Sequence, residues 1–349
     1  MDDEFCVSRR AQIVRLRRLA VTSLDAYELD DPRIVLVAHR ENTTFRVTTS
    51  TGREYLLRVH RPHRHGRGVD SAAAVRSELE WLVDLRDNTP LWVPKPVRTV
   101  AGELTTTCMA DGVDGPRVCS LLGWISGRIR TKSARPVHLQ RVGETLAQLH
   151  DHGDVWRRPD GFVRIRWDRE AFFGNTLLYG DVDAADCWRL LPPKLRSDFE
   201  RVAEGVGQIM RRLGEGPDVF GLIHADAHLD NVLFDAGRAC LIDFDDCGFG
   251  YRMYDVAVAL WEYRHRDNYP DFRSAFVAGY TRHRPLTDEQ MRLLDSFIAA
   301  REVAFGLWLV GMAEQRSDIR SEVPTELAFI ERNLERVLPA DGPARRGRR

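Results

Sequence analysis

Among the oxygen-bearing side chains between Gly221 and Asp246, three have a spacing that could bring them to one spot, namely Asp226, Asn231 and Asp243. Residues 231–234 and 239–242 read as short apolar strands. Asp235-Ala236-Gly237 between them supplies a turn, with glycine available for positive φ. A hairpin folds its ends together, so Asn231 and Asp243 are expected side by side, with Asp226 one short loop earlier. Oxygen donors without thiolates suit magnesium rather than zinc. Such a set fits phosphoryl transfer, which needs a divalent metal to neutralise phosphates and a carboxylate to orient the attacking hydroxyl. On this reading Asp226 accepts the proton of the acceptor hydroxyl, and Asn231 and Asp243 hold the metal. His224 and His228 flank Asp226, but their order does not match the His-x-His-x-Asp-His pattern of zinc hydrolases. His224 reads as a brace for the loop, and His228 as either a contact to phosphate or substrate or a loop-packing residue.

The elements that must position these residues fall into two regions. Apolar positions Ile13, Leu16, Leu19, Ala20 and Leu24 predict an amphipathic helix over 8–27. Strands are expected at 34–38, 43–49 and 55–59, with Ser50-Thr51-Gly52 turning between the last two. A helix follows over 71–85, then an extended segment at 93–97, where each proline disfavours the helical region for the residue before it. Two more strands are expected at 104–109 and 117–122. Beyond residue 127 the pattern is helical over 136–153, 196–213, 254–264, 270–283 and 287–314, with one β-like island at 219–244. The expected organisation is a β-rich lobe over 1–118, a hinge at 119–127, a helical lobe over 128–338, and a disordered basic tail at 339–349.

Composition narrows the class. Lysine and arginine number 51 against 52 acids, a balance that argues against a general nucleic-acid binder. The cysteines, Cys6, Cys108, Cys119, Cys187, Cys240 and Cys247, form no C-x-x-C pair and read as reduced thiols. The acidic start Met1-Asp2-Asp3-Glu4 lacks the basic and apolar regions of a signal peptide, and no uninterrupted apolar run reaches membrane-spanning length. A soluble, cytoplasmic protein is expected, with neither a membrane nor a nucleic acid as partner.

The motif His224-Ala225-Asp226, then Asn231, then Ile242-Asp243 resembles the aminoglycoside phosphotransferase and choline kinase family, relatives of protein kinases. The family pattern is His-Gly-Asp-x-x-x-x-Asn followed by Ile-Asp, and here Ala225 replaces the glycine. The segment from Phe244 to Gly250, with Tyr254-Asp255, is similar to the branch holding the stress-response kinase and homoserine-kinase-like proteins. The resemblance covers about 30–335. It implies an α+β, bilobal protein-kinase-like fold, with ATP or GTP as donor and Mg2+ as cofactor. It also implies that Asn42, Thr43 and Thr44 cover the nucleotide phosphates. Arg58, where the family usually has lysine, pairs with Glu78 to hold phosphate. The hinge at 120–124, including Leu122, receives the adenine through its backbone. No P-loop motif is present.

The acceptor implied is a small-molecule alcohol of the aminoglycoside, homoserine or choline type. A protein Ser/Thr kinase and a nucleotide-binding regulator without turnover are the alternatives. A cationic acceptor would want acids facing Asp226, and Glu262, Asp246 and Asp267 are the candidates. Plainer readings stand beside these. Asp230, Asp245 and Asp246 read singly as solvated acids in a turn, and Asp255 as the N-cap of a helix. Arg58 and Glu78 could form an ordinary surface ion pair. Trp261, Phe305 and Trp308 read as core packing.

Overall fold

Arg9 opens the first helix, α1 (Arg9–Ser23), whose Leu16, Leu19 and Ala20 fall on one face. The structure, a computed structural model, describes residues 9–62, 70–174, 178–179 and 182–335; the basic tail lies outside the described residues. Strands β1 (Arg33–His39), β2 (Thr43–Thr48) and β3 (Glu54–Val59) follow, then α2 (Ser71–Asn88), β4 (Pro96–Val97), β5 (Thr106–Cys108) and β6 (Arg117–Gly123). The helical part begins with α3 (Pro136–Val155), β7 (Ile165–Trp167), α4 (Arg169–Phe173), β8 (Leu178–Tyr179), β9 (Val182–Asp183), α5 (Ala184–Leu190) and α6 (Pro193–Leu213). It continues with β10 (Phe220–Ile223), β11 (Val232–Asp235), β12 (Arg238–Leu241), β13 (Gly248–Tyr251), α7 (Arg252–Trp261), α8 (Tyr269–Tyr280), α9 (Asp288–Arg292), α10 (Leu294–Gln315), α11 (Ser317–Arg320) and α12 (Val323–Glu335).

The chain divides into two compact units. The first holds residues 1–134, 155–164 and 229–247; the second holds 135–154, 165–228 and 248–349. In the first unit a six-stranded sheet runs β1-β2-β3-β6-β4, with β5 also on β6. Alternation of buried and exposed residues along β2 turns Phe45 and Val47 inward. They pack with Leu16, Leu19, Leu57 and Leu121 in one apolar cluster. Arg58 occupies the central strand, opposite Thr44 on β2 and Ser120 on β6. Asp70 caps α2, its carboxylate accepting from Ala73 N at 3.0 Å.

In the second unit α3 and α8 cross at two glycines. A Cβ on Gly143 would lie 2.3 Å from Phe276 O, and one on Gly279 would lie 1.9 Å from Gln140 O. Only glycine lets the two backbones come this close, and the contact brings His150 of α3 against Tyr280 of α8. The strand pair β10–β13 is antiparallel, with β7 added parallel to β13. Sequence reading missed β13 and β7, because Gly-Phe-Gly-Tyr and Ile-Arg-Trp are too short to show a period. The helix expected over 287–314 breaks near Leu293. Thr287 and Gln290 form a capping box that starts α9, and α10 begins after it. By length and composition α10 could cross a membrane, although charged residues interrupt its apolar run. However, 78% of its apolar window is buried inside the protein, packed among helices of this unit.

Candidate active site

The hairpin forms with the register its sequence implied. Val232 pairs with Leu241 and Asp235 with Arg238, and Ile242 N donates to Asn231 O at 3.0 Å. Asn231 and Asp243 therefore close the open end of the hairpin together, in the first unit. Ala236 and Gly237 both take positive φ in the turn. Asp243 itself has φ 60° and ψ 65°, a left-handed conformation that costs a non-glycine residue about 1–2 kcal/mol. Strain of this kind persists where the surroundings over-determine it. Asp243 is exposed and Asn231 half-buried, so an amide oxygen and a solvent-facing carboxylate stand side by side. That donor set fits a hard divalent cation.

Arg164 holds the turn that follows Asp243. Buried, it donates to the carbonyls of Asp245 and Cys247, both at 2.6 Å, and to Ala74 O of α2 at 2.9 Å. Asp245, read from sequence as solvated, is only 7% exposed. Its carboxylate accepts from Asn42 Nδ2 at 3.0 Å and lies 3.7 Å from Arg58 and 3.8 Å from Arg61. Asn42, expected to cover phosphates, also accepts from Arg61 N at 3.2 Å, so both ends of its amide are engaged within the protein. Thr43 is buried against His39 at 2.7 Å, and Thr44 is half-buried. Leu122 is buried, and the Gly123 and Trp124 amides donate to Lys95 O and Glu54 O. These two hinge amides thus serve the sheet and its margin.

Arg58 and Glu78 are no surface pair. Their side chains meet at 2.7 Å, with Glu78 fully buried. Removing one partner of a buried pair leaves a charge without compensation. Glu78→Ala is therefore expected to lose about 3–5 kcal/mol of unfolding free energy. Urea denaturation checks it, and a loss below about 1 kcal/mol would rank the pair with exposed ones.

Asp226 lies in the second unit, on the loop after β10. The loop's shape comes from Asp255, which does not cap its own helix as its position suggested. Asp255 is fully buried, and its carboxylate accepts from His224 N at 2.8 Å, Ala225 N at 2.6 Å and His150 Nε2 at 2.9 Å. Burial lowers the pKa of His150 despite Asp255, so its ring is neutral: Nε2–H donates to Asp255 and Nδ1 accepts from Tyr280 Oη–H at 2.7 Å. The loop held in this way needs φ 67° at Ala225, which explains why the related motif carries glycine there. His224 is buried, and its Nδ1 accepts from Asp226 N at 3.3 Å, the bracing role expected of it.

Around the Asp226 carboxylate stand Arg301 Nη2 at 2.7 Å and His228 Nε2 at 3.4 Å, with Glu262 on the other side of the His228 ring at 3.5 Å. Burial alone would raise the pKa of Asp226, but the charges of His228 and Arg301 overcome it and hold the carboxyl well below its usual range. Burial likewise works against a charge on His228, yet Asp226 and Glu262 push it up to about 10. That raised value gives stability fully present below the unfolded histidine value near pH 6.5, and lost as pH rises through about 10. Arg301 carries no motif that a sequence reading could have found.

Beside Arg301, Glu302 is fully buried and accepts from Asn333 Nδ2 at 2.8 Å. Burial pushes its pKa up to about 7, against the opposing pull of Trp261 and Asn333. The folded state then binds a proton that the unfolded chain releases at lower pH, so stability falls as pH rises from about 4.5 to about 7. Glu302→Gln is expected to recover on the order of 2–3 kcal/mol at pH 8 and little at pH 4. Denaturant melts at the two pH values check it; an equal effect at both would refute the assignment.

A family model described as "Phosphotransferase enzyme family" matches residues 34–294. A homoserine kinase of Methylobacillus flagellatus is 28% identical over 305 residues, covering 86% of this chain and 85% of that protein. Among solved structures, a microcompartment-associated aminopropanol kinase superposes with a TM-score of 0.75 and 29% identity, over 93% of this chain and 98% of that one. The amicoumacin kinase hAmiN, solved in complex with AMP-PNP, Ca2+ and Ami, superposes with a TM-score of 0.70 at 19% identity, over 94% of this chain and 97% of that one. The α+β fold, a small antiparallel sheet followed by a helical part, is therefore kinase-like.

Proposed function

The chain belongs to the phosphotransferase enzyme family, and we propose that within it this protein transfers the γ-phosphoryl group of ATP to a hydroxyl of a small molecule. The observation that carries this reading is Asp226, an ionised carboxylate on a loop fixed through two backbone amides by a buried Asp255. A carboxylate with a strongly lowered pKa is a weak base in the ground state. It is well suited to a loose transition state, in which the hydroxyl loses its proton only late. Until then Asp226 accepts a hydrogen bond from the hydroxyl and aims its oxygen at phosphorus.

Asn231 and Asp243 would hold the magnesium ion, which when bound neutralises phosphate charge. Arg58, paired with Glu78 and set near Asp245, would face the phosphates from the central strand. Because the Gly123 and Trp124 amides are engaged, residues 125–127 are the better candidates to meet the base. The kinases similar to this chain are named for homoserine, aminopropanol and amicoumacin. Each is a small molecule, and this supports a small acceptor over a protein one.

Phosphorus NMR with Mg·ATP and a panel of amino alcohols, hydroxy amino acids, aminoglycosides and choline tests the proposal. A new phosphate ester, formed by the wild type and not by Asp226→Asn, is the expected result. ATP bound tightly with no ester from any acceptor would favour a nucleotide-binding regulator instead, with Arg58 locked away by its two acids.

A further inference from the structure

The aromatic residues Trp261, Phe305 and Trp308 are not core. All three are half-buried, and they form a row: Trp261 and Phe305 are tilted with ring centroids 5.0 Å apart, and Phe305 and Trp308 stack 5.7 Å apart. Arg301, Phe305 and Trp308 follow one another at four- and three-residue spacing, so they share a face of α10. The buried Val303, Ala304 and Leu307 pack elsewhere on the helix. At one end of this row the Arg301 guanidinium lies 5.1 Å from the Trp261 ring centroid while donating to Asp226 Oδ1. A cation already sits on the aromatic face nearest the reacting carboxylate.

The nearby acids each already have a cationic or amide partner within the protein. Asp226 is shared by Arg301 and His228, Glu262 is turned to His228, and Glu302 is buried against Asn333. Arg264 adds a further positive charge near Glu302. Of the acids that a cationic acceptor would have wanted, Asp267 is exposed and Glu262 already faces a charged imidazole. A guanidinium only donates hydrogen bonds, so an ammonium placed against Arg301 meets a like charge and finds no acceptor on it. A carboxylate in the same place can accept from the guanidinium, which is planar and carries several donors besides the one that Asp226 takes.

We propose that Arg301 is a specificity-determining residue: seated on Trp261 beside Asp226, it binds a carboxylate on the acceptor whose hydroxyl Asp226 orients. The acceptor is then a hydroxylated carboxylic acid, such as a hydroxy amino acid, rather than a simple amino alcohol or a polycation. This rests on the phosphotransferase reading and narrows it.

The test uses L-homoserine and 3-aminopropan-1-ol, which differ only by the carboxylate, with wild type, Arg301→Met and Arg301→Glu. The wild type is expected to favour homoserine by at least about tenfold in kcat/KM. Arg301→Met should lose most of that preference and Arg301→Glu should reverse it, while KM for ATP stays within about twofold. Saturation-transfer NMR with the same two compounds reads acceptor binding even where no phosphate ester forms. It thereby separates failure of this inference from failure of the kinase reading. Circular dichroism confirms that both variants fold, and Arg301→Met alone decides if the charge reversal unfolds the protein. A wild type that prefers the amino alcohol, or a homoserine preference that survives Arg301→Met, would overturn the proposal.

Discussion

Asp226→Asn is expected to reduce phosphoryl transfer about a thousandfold, at the middle of the range for losing a positioned general base. The asparagine keeps the size of the side chain but can no longer take the hydroxyl proton. Nucleotide affinity should stay within a few-fold, because the proposed metal and phosphate contacts come from other residues. Two cations also lose their shared counter-charge. His228, without the charge of Asp226, should titrate below its value of about 10. Single-turnover kinetics measure the first effect and histidine NMR the second. A variant that transfers phosphate at the wild-type rate would remove Asp226 from the reaction. A His228 titration left unchanged would show that its charge is set elsewhere.

The second large effect is structural in origin. Asp255→Ala is expected to lose about 3–5 kcal/mol of stability, the range for removing a buried charged acceptor from its partners. Three donors, the amides of His224 and Ala225 and the ring of His150, lose their common acceptor inside a buried part of the second unit. Asp255→Asn should recover part of this, since its single amide oxygen can still accept from one or two of them. Transfer should fall in both variants beyond what unfolding explains, because Ala225 no longer has a reason to stay in the left-handed region and Asp226 loses its aim. Denaturant titration together with kcat measured where each variant is fully folded separates the two effects. A stable Asp255→Ala protein with normal kcat would show that the loop holds its shape unaided.

These two residues illustrate what could be read locally and what could not. Asp226, Asn231 and Asp243 were visible as candidates because a hairpin with a tight turn is a short-range object. Spacing, turn chemistry and apolar runs are enough to bring Asn231 next to Asp243. The same holds for α1, α2, α3 and the meander of β1 to β3, whose periods are long enough to declare themselves. Asp255 was misread as a cap for the opposite reason. An acid at the start of a helix has a common local use, and its actual partners lie 30, 31 and 105 residues away.

What the amino-acid sequence determined by itself is therefore the order of elements, the family motif and the kind of chemistry its oxygen donors suit. Tertiary structure alone decided how charge is distributed around those donors. Asp245 changed from a solvated acid to a buried partner of Asn42, which stands 203 residues earlier in the chain. Arg301, an unremarked residue on an apolar helix, came to lie 2.7 Å from the Asp226 carboxylate from 75 residues away. Trp261, Phe305 and Trp308 turned from core candidates into a half-exposed row. Propensity and spacing act over a few residues. Coulomb interactions and desolvation depend on distance through space, which the chain sets only once its helices and strands have packed.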